Sequence, residues 1–96
     1  MSINLIIPMS LLKITKEKNT IEVHGKTIGQ CLVDLVKQYP DFEEQLFYGG
    51  REEFLAVEGK LWSKIEILLN GKLIKNNILT TVVQSNDKLE IKINTK

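Results

Sequence analysis

Cys31 is the only cysteine and His24 the only histidine in the chain. A catalytic thiol needs a nearby base or cation to become a thiolate, and no histidine lies near Cys31 in sequence. Cys31 also falls on an apolar stripe with helical spacing, so a buried structural thiol is expected. One cysteine excludes an internal disulfide, a Cys-rich zinc site and a cysteine-held iron–sulfur cluster. One histidine excludes a multi-histidine metal centre, and His24, at the end of a strand, reads as a solvated imidazole. Glu43-Glu44 and Glu52-Glu53 are the residue types of acid–base pairs. Adjacent positions point in different directions, however, and both pairs read as solvated surface. Gly49-Gly50 is internal, so its carbonyl is an amide, and it reads as a loop. No nucleophile–base constellation and no metal-ligand set is visible, and the expectation is a non-catalytic protein without a cofactor.

Charge narrows the partners. Lys+Arg total 13 and Asp+Glu 12, a net charge of +1, and Arg51 is the only arginine. A dedicated nucleic-acid binder would carry a basic face with bidentate arginines, so nucleic acid is not expected. Lys72, Lys75, Lys88 and Lys92 gather near the end of the chain, as either a solubilising surface or a docking patch for an acidic partner. No apolar run approaches the roughly 18 residues of a spanning helix. Met1-Ser2-Ile3-Asn4 lacks a basic leader-type start, so a cytoplasmic protein is the default. The 96 residues, 43% hydrophobic and 26% charged, suit one globular domain over 1–96.

The elements that must position these residues follow from periodicity. Ile3, Leu5 and Ile7 alternate as one strand, stopped by Pro8. Thr15 to Asn19 is polar and reads as a turn, and Thr20–His24 as a second strand paired to the first in a hairpin. Thr27-Ile28-Gly29-Gln30 matches a capping box, in which the Thr27 hydroxyl accepts from Gln30 N–H and Gln30 reaches back to Thr27. Ile28, Cys31, Leu32, Leu35, Val36 and Tyr39 then form one helical face until Pro40. Asp41 would cap a short second helix through Phe47. Arg51 to Ser63 has no clear period and reads as irregular structure or a small extra hairpin. Ile65, Ile67 and Leu69 alternate into Asn70-Gly71, a strong hairpin turn signal, followed by the short strand Lys72-Leu73-Ile74. Ile78 to Val83 suggests a turn of 3₁₀ helix and a connector. Leu89, Ile91 and Ile93 form a last strand.

A mixed sheet with the long helix across one face buries every apolar stripe, with the last strand parallel to the first at the sheet centre. This α+β arrangement is the ubiquitin-like β-grasp. The expected core is Leu5, Ile7, Ile21, Val23, Leu32, Leu35, Ile67, Leu69, Leu89 and Ile91. By alternation Ile6 and Leu68 face away from the helix. Either they form a patch for a partner or a second copy of the chain, or the irregular middle folds over them.

Over nearly its whole length the sequence resembles the MoaD/ThiS group of ubiquitin-like sulfur carriers, most closely the small subunit of molybdopterin synthase. The landmarks are the strand before Leu11, the segment Thr27 to Leu35 with Tyr39-Pro40, Ile67-Leu68-Leu69-Asn70-Gly71, and Asn86-Asp87-Lys88-Leu89-Glu90-Ile91. The stretch from Tyr48 to Ser63 makes the chain longer than the thiamine-type members. The resemblance implies a non-catalytic carrier for molybdenum or tungsten cofactor biosynthesis. Its partners would be a ubiquitin-activating-type adenylyltransferase and the molybdopterin synthase large subunit. The implied contacts are Ile6, Leu68, Lys92, Asn94, Thr95 and Lys96. The alternative is a β-grasp interaction module or accessory subunit without sulfur chemistry.

Such carriers act through a terminal Gly-Gly, whose carboxylate is adenylated and converted to a thiocarboxylate. This sequence has Ile93-Asn94-Thr95-Lys96 instead. Three residues reach only about 10 Å, and each carries a side chain where the family pattern has bare glycine. The expectation is that the polypeptide ending at Lys96 forms no thiocarboxylate. It would be either a carrier lacking its last residues or one that has lost the activity.

Overall fold

The computed structural model describes residues 2–47 and 61–94. Five strands form one sheet: β1 (Ser2–Ile6), β2 (Thr20–His24), β3 (Ile65–Leu69), β4 (Lys72–Ile74) and β5 (Lys88–Ile93). Their spatial order is β2-β1-β5-β3-β4. β1 and β5 are parallel, with Leu5 opposite Leu89, and the other neighbours are antiparallel. The helix α1 (Ile28–Gln38) packs on one face, with the short helix α2 (Phe42–Leu46) after it. The mixed sheet, the central parallel pair and the single main helix are those of the ubiquitin-like β-grasp.

The local chemistry explains the boundaries. Thr27 caps α1, its hydroxyl accepting from Gln30 N–H at 3.2 Å. The reciprocal bond differs from the expected one, because Gln30 Oε1 accepts from Lys26 N–H at 2.8 Å rather than from Thr27. Thr27 instead lies in a bridge with Val82, where Ile28 N–H donates to the Thr81 carbonyl and Val83 N–H to the Lys26 carbonyl. α2 forms where expected, but Asp41 gives it no side-chain cap, because Asp41 is itself near-helical (φ −65°, ψ −14°). Asn70 (φ 53°) and Gly71 (φ 86°) take the left-handed conformation of a two-residue hairpin turn. The 3₁₀ turn falls at Ile78–Thr80.

The core gathers between sheet and helix. Leu5, Ile7, Ile21, Val23, Leu32, Leu35, Ile67, Leu89 and Ile91 are buried as expected, and Cys31 is buried with them. Leu69 is only half-buried, a correction to the expected core. It is the last residue of β3, beside the exposed Asn70-Gly71 turn. Ile3, Ile28, Phe42, Leu46 and Val83 are among the further residues of the interior. Tyr39 and Phe42 meet edge to face, their centroids 6.2 Å apart.

Gly29 fixes the distance between α1 and the 3₁₀ turn. A Cβ there would stand 2.7 Å from the Leu79 carbonyl oxygen and 3.2 Å from Leu79 Cβ. Alanine improves intrinsic helix propensity by up to about 1 kcal/mol, but a clash with backbone costs about 1–3 kcal/mol. The 81–83 segment is held to Lys26 and Ile28 and cannot move away alone. Gly29→Ala therefore lowers stability on balance, read as a lower midpoint in urea. A raised midpoint would show that the turn yields freely.

Candidate functional site

The strand register assembles a row across the face opposite α1. Thr20 on β2 pairs with Ile6 on β1, Ile6 with Glu90 on β5, Glu90 with Leu68 on β3, and Leu68 with Leu73 on β4. Paired residues of a pleated sheet share a face. Ile6 and Leu68 therefore flank Glu90 on the three central strands, about 10 Å apart at the usual strand spacing. Both are half-buried rather than openly exposed. Leu73, which sequence reasoning did not place in the patch, is 37% exposed and extends the row to the sheet edge. The lateral neighbours in a pleated sheet shield a central residue, while an edge residue lacks one of them.

The polar rows beside this one are charged. Glu66 pairs with Lys92, and Asn4 lies between Glu22 and Lys88. The Asn70-Gly71 and Asn86-Asp87 turns meet at one end. Asn70 Nδ2 donates to Asp87 Oδ1 at 3.1 Å, and Lys88 N–H donates to Asn70 Oδ1 at 2.9 Å. Two turns far apart in sequence thus lock β3 to β5 and fix the row's register.

The row and the chain's last described residue are joined by β5. Asn94 follows that strand, is exposed, and donates its N–H to the Lys64 carbonyl at 2.7 Å. Lys92 is exposed on the same strand as Glu90. Thr95 and Lys96 lie outside the described residues, as do Gly49-Gly50, Glu52-Glu53 and most of the Arg51–Ser63 stretch. Within that stretch Leu61 bridges to Phe47, and Trp62 Nε1–H donates to the Glu44 carbonyl at 3.1 Å.

The other chemical candidates separate. His24 is exposed on the β2 edge, where its backbone N–H donates to Asp34 Oδ2 at 2.9 Å. Cys31 is fully buried, and its thiol pKa is pushed up to about 11, chiefly by burial and secondarily by the Asp34 carboxylate. A raised pKa keeps the thiol protonated, the opposite of an activated nucleophile. The folded state therefore resists a deprotonation that the unfolded chain undergoes at its ordinary value. The associated stability is complete below about pH 9 and is lost as pH rises toward about 11. Stability over that window falls more steeply in the native chain than in Cys31→Ala, as urea titrations at stepped pH would record. Equal slopes would place the thiol in contact with water. Among the described residues no group of three or more His, Cys, Asp or Glu is arranged to hold a metal ion, and no helix is long and apolar enough to cross a membrane.

No family model and no curated protein sequence matches the chain. Solved structures do match. The small archaeal modifier protein 1 (SAMP1) of Methanosarcina acetivorans superposes with a TM-score of 0.83 at 21% identity, covering 99% of this chain and 94% of that one. CysO of Mycobacterium tuberculosis, described as an antigen, gives 0.81 at 22%, covering 97% and 99%. A chain of the BexX/CysO complex of Amycolatopsis orientalis gives 0.80 at 20%, covering 98% and 97%. At these identities the likeness establishes the fold, which is the one implied by the sequence resemblance to the MoaD/ThiS group.

Proposed function

We propose that this chain is a ubiquitin-like carrier of the sulfur-carrier type, a subunit that docks onto enzymes rather than catalysing. The observation that carries the reading is the row Ile6–Glu90–Leu68 on the face of the central strands turned away from α1, with one of those strands, β5, leading directly into Asn94. An apolar pair around a single carboxylate gives a dry contact with one charge to fix register. A tail leaving the middle strand of that face would be aimed past the docked partner's surface. In this reading Ile6, Leu68, Lys92, Asn94, Thr95 and Lys96 contact the partner. The fold supplies position, and the partner supplies the chemistry.

The partners in this reading are a ubiquitin-activating-type adenylyltransferase and a larger synthase subunit. The sequence resemblance favours the molybdopterin branch. The Amycolatopsis neighbour, similar along almost its whole length, was solved as a complex of CysO with BexX, in keeping with a fold that works by docking. Titration calorimetry of the chain against an activating adenylyltransferase from the same source tests the reading. A saturable complex is expected without ATP, since docking by the sheet face needs no adenylation. Absence of a complex with and without ATP would leave the chain an interaction module of another kind.

A further inference from the structure

The two edges of the sheet are treated differently. At the β2 edge, α1 caps the outward backbone groups. Asp34 Oδ2 accepts from His24 N–H at 2.9 Å, and Gln38 Nε2 donates to the Glu22 carbonyl at 3.0 Å. A further strand cannot add there without displacing both side chains. At the opposite edge, among the described residues, β4 pairs with β3 alone and no side chain bonds to its backbone.

The two-residue turn fixes what β4 presents. Leu69 and Lys72 close the hairpin, so Lys72 and Ile74 turn their backbone groups toward β3 and Leu73 turns its N–H and C=O outward. β4 also stops short. Ile74 pairs with Ile67, while β3 begins at Ile65, so among the described residues no strand pairs with its first two residues on that side. A groove of about 580 Å³ lies there, walled by Trp62, Ile65, Leu73, Ile74, Lys75 and Ile78. Trp62 is 42% exposed, and its indole is anchored on the Glu44 carbonyl.

Charge selects the occupant. Lys72 and Lys75 are exposed and bracket Leu73-Ile74, and the strand carries no carboxylate. Glu66, the acidic residue of the groove wall, is set across from Lys92 on β5. A second copy added strand to strand would gather the lysines of both copies along one seam, where like charges repel. A segment alternating acidic and apolar residues would set its carboxylates on the face of Leu73 and Lys75 and its apolar side chains on the face of Ile74, where one can reach the Trp62 groove.

We propose that the β4 edge accepts an extended, acidic segment of a partner protein as a sixth strand, with an apolar side chain of that segment seated in the Trp62 groove. The inference does not depend on the carrier reading, and neither falls with the other.

Amide chemical shifts of the isotope-labelled chain test it, with acetyl-(Glu-Val)-repeat hexapeptide amide as probe and its lysine counterpart as control. The glutamate peptide is expected to shift the Leu73 and Lys75 amides most, to bind at least tenfold more tightly than the lysine peptide, and to weaken with added salt. Lys72→Glu with Lys75→Glu should reverse the preference. Leu73→Pro removes an outward N–H that an edge strand can spare and should weaken the glutamate peptide at least tenfold. The charge-reversed variant keeps the test decisive should the proline disturb the hairpin. Equal binding of the two peptides, shifts centred on β2, or self-association of the chain in place of peptide uptake would overturn the proposal.

Discussion

Leu35→Ala is expected to lower the unfolding free energy by about 2–5 kcal/mol, measured by urea denaturation. Leu35 has no exposed surface and lies on the face of α1 that covers the sheet. Its truncation leaves a void between Leu32, Cys31 and the strand residues of the same core, and close-packed interiors relax only partly into such voids. The helix itself would not suffer, because alanine is the best helix former. The loss therefore reports packing alone. A change below about 1 kcal/mol would mean that this face of α1 does not carry the core.

Most of the architecture could be read from local pattern. The α1 stripe, the Asn70-Gly71 turn and the alternating strands are signals contained within a few residues, and all appear where expected. Features set by distant neighbours could not be read. Thr15 stands in a polar run, yet it is fully buried, its hydroxyl 2.7 Å from the Lys18 carbonyl it can donate to. Gln30 changes its capping partner, and residues 81–83 run alongside 26–28. Gly29 looks like a weak helix residue until the Leu79 carbonyl is set against it. For the candidate site, alternation put Ile6 and Leu68 together on the face away from α1, and the strand register agrees. Only the register reveals that Glu90 stands between them and that Leu73 continues the row.

The double variant Ile6→Asp, Leu68→Asp is expected to leave the monomer folded and to abolish measurable docking onto an activating adenylyltransferase. Both side chains are half-buried, not part of the interior, so aspartate keeps its carboxylate in reach of water. Around Glu90, however, two new carboxylates would concentrate negative charge in the middle of an apolar contact. Loss of an apolar side chain from an interface centre costs more than about 1 kcal/mol each. Burying an unpaired charge costs more again. Circular dichroism would establish the fold and calorimetry the binding. Unchanged affinity, or unchanged oligomer size if the patch joins two copies, would leave the row without a role. Ile6→Ala with Leu68→Ala should give an intermediate loss, since it removes apolar area without adding charge.

The carrier reading joins two properties, docking by the sheet face and delivery of the chain end leaving β5. One measurement addresses both. The chain bearing an appended Gly-Gly is incubated with the activating adenylyltransferase, ATP and a sulfur donor, beside the same chain with Ile6→Asp and Leu68→Asp, and each is weighed intact. The predicted result is the mass gain of one oxygen replaced by sulfur in the first and no gain in the second. No gain in either chain, or an equal gain in both, would contradict a carrier that docks through Ile6, Glu90 and Leu68.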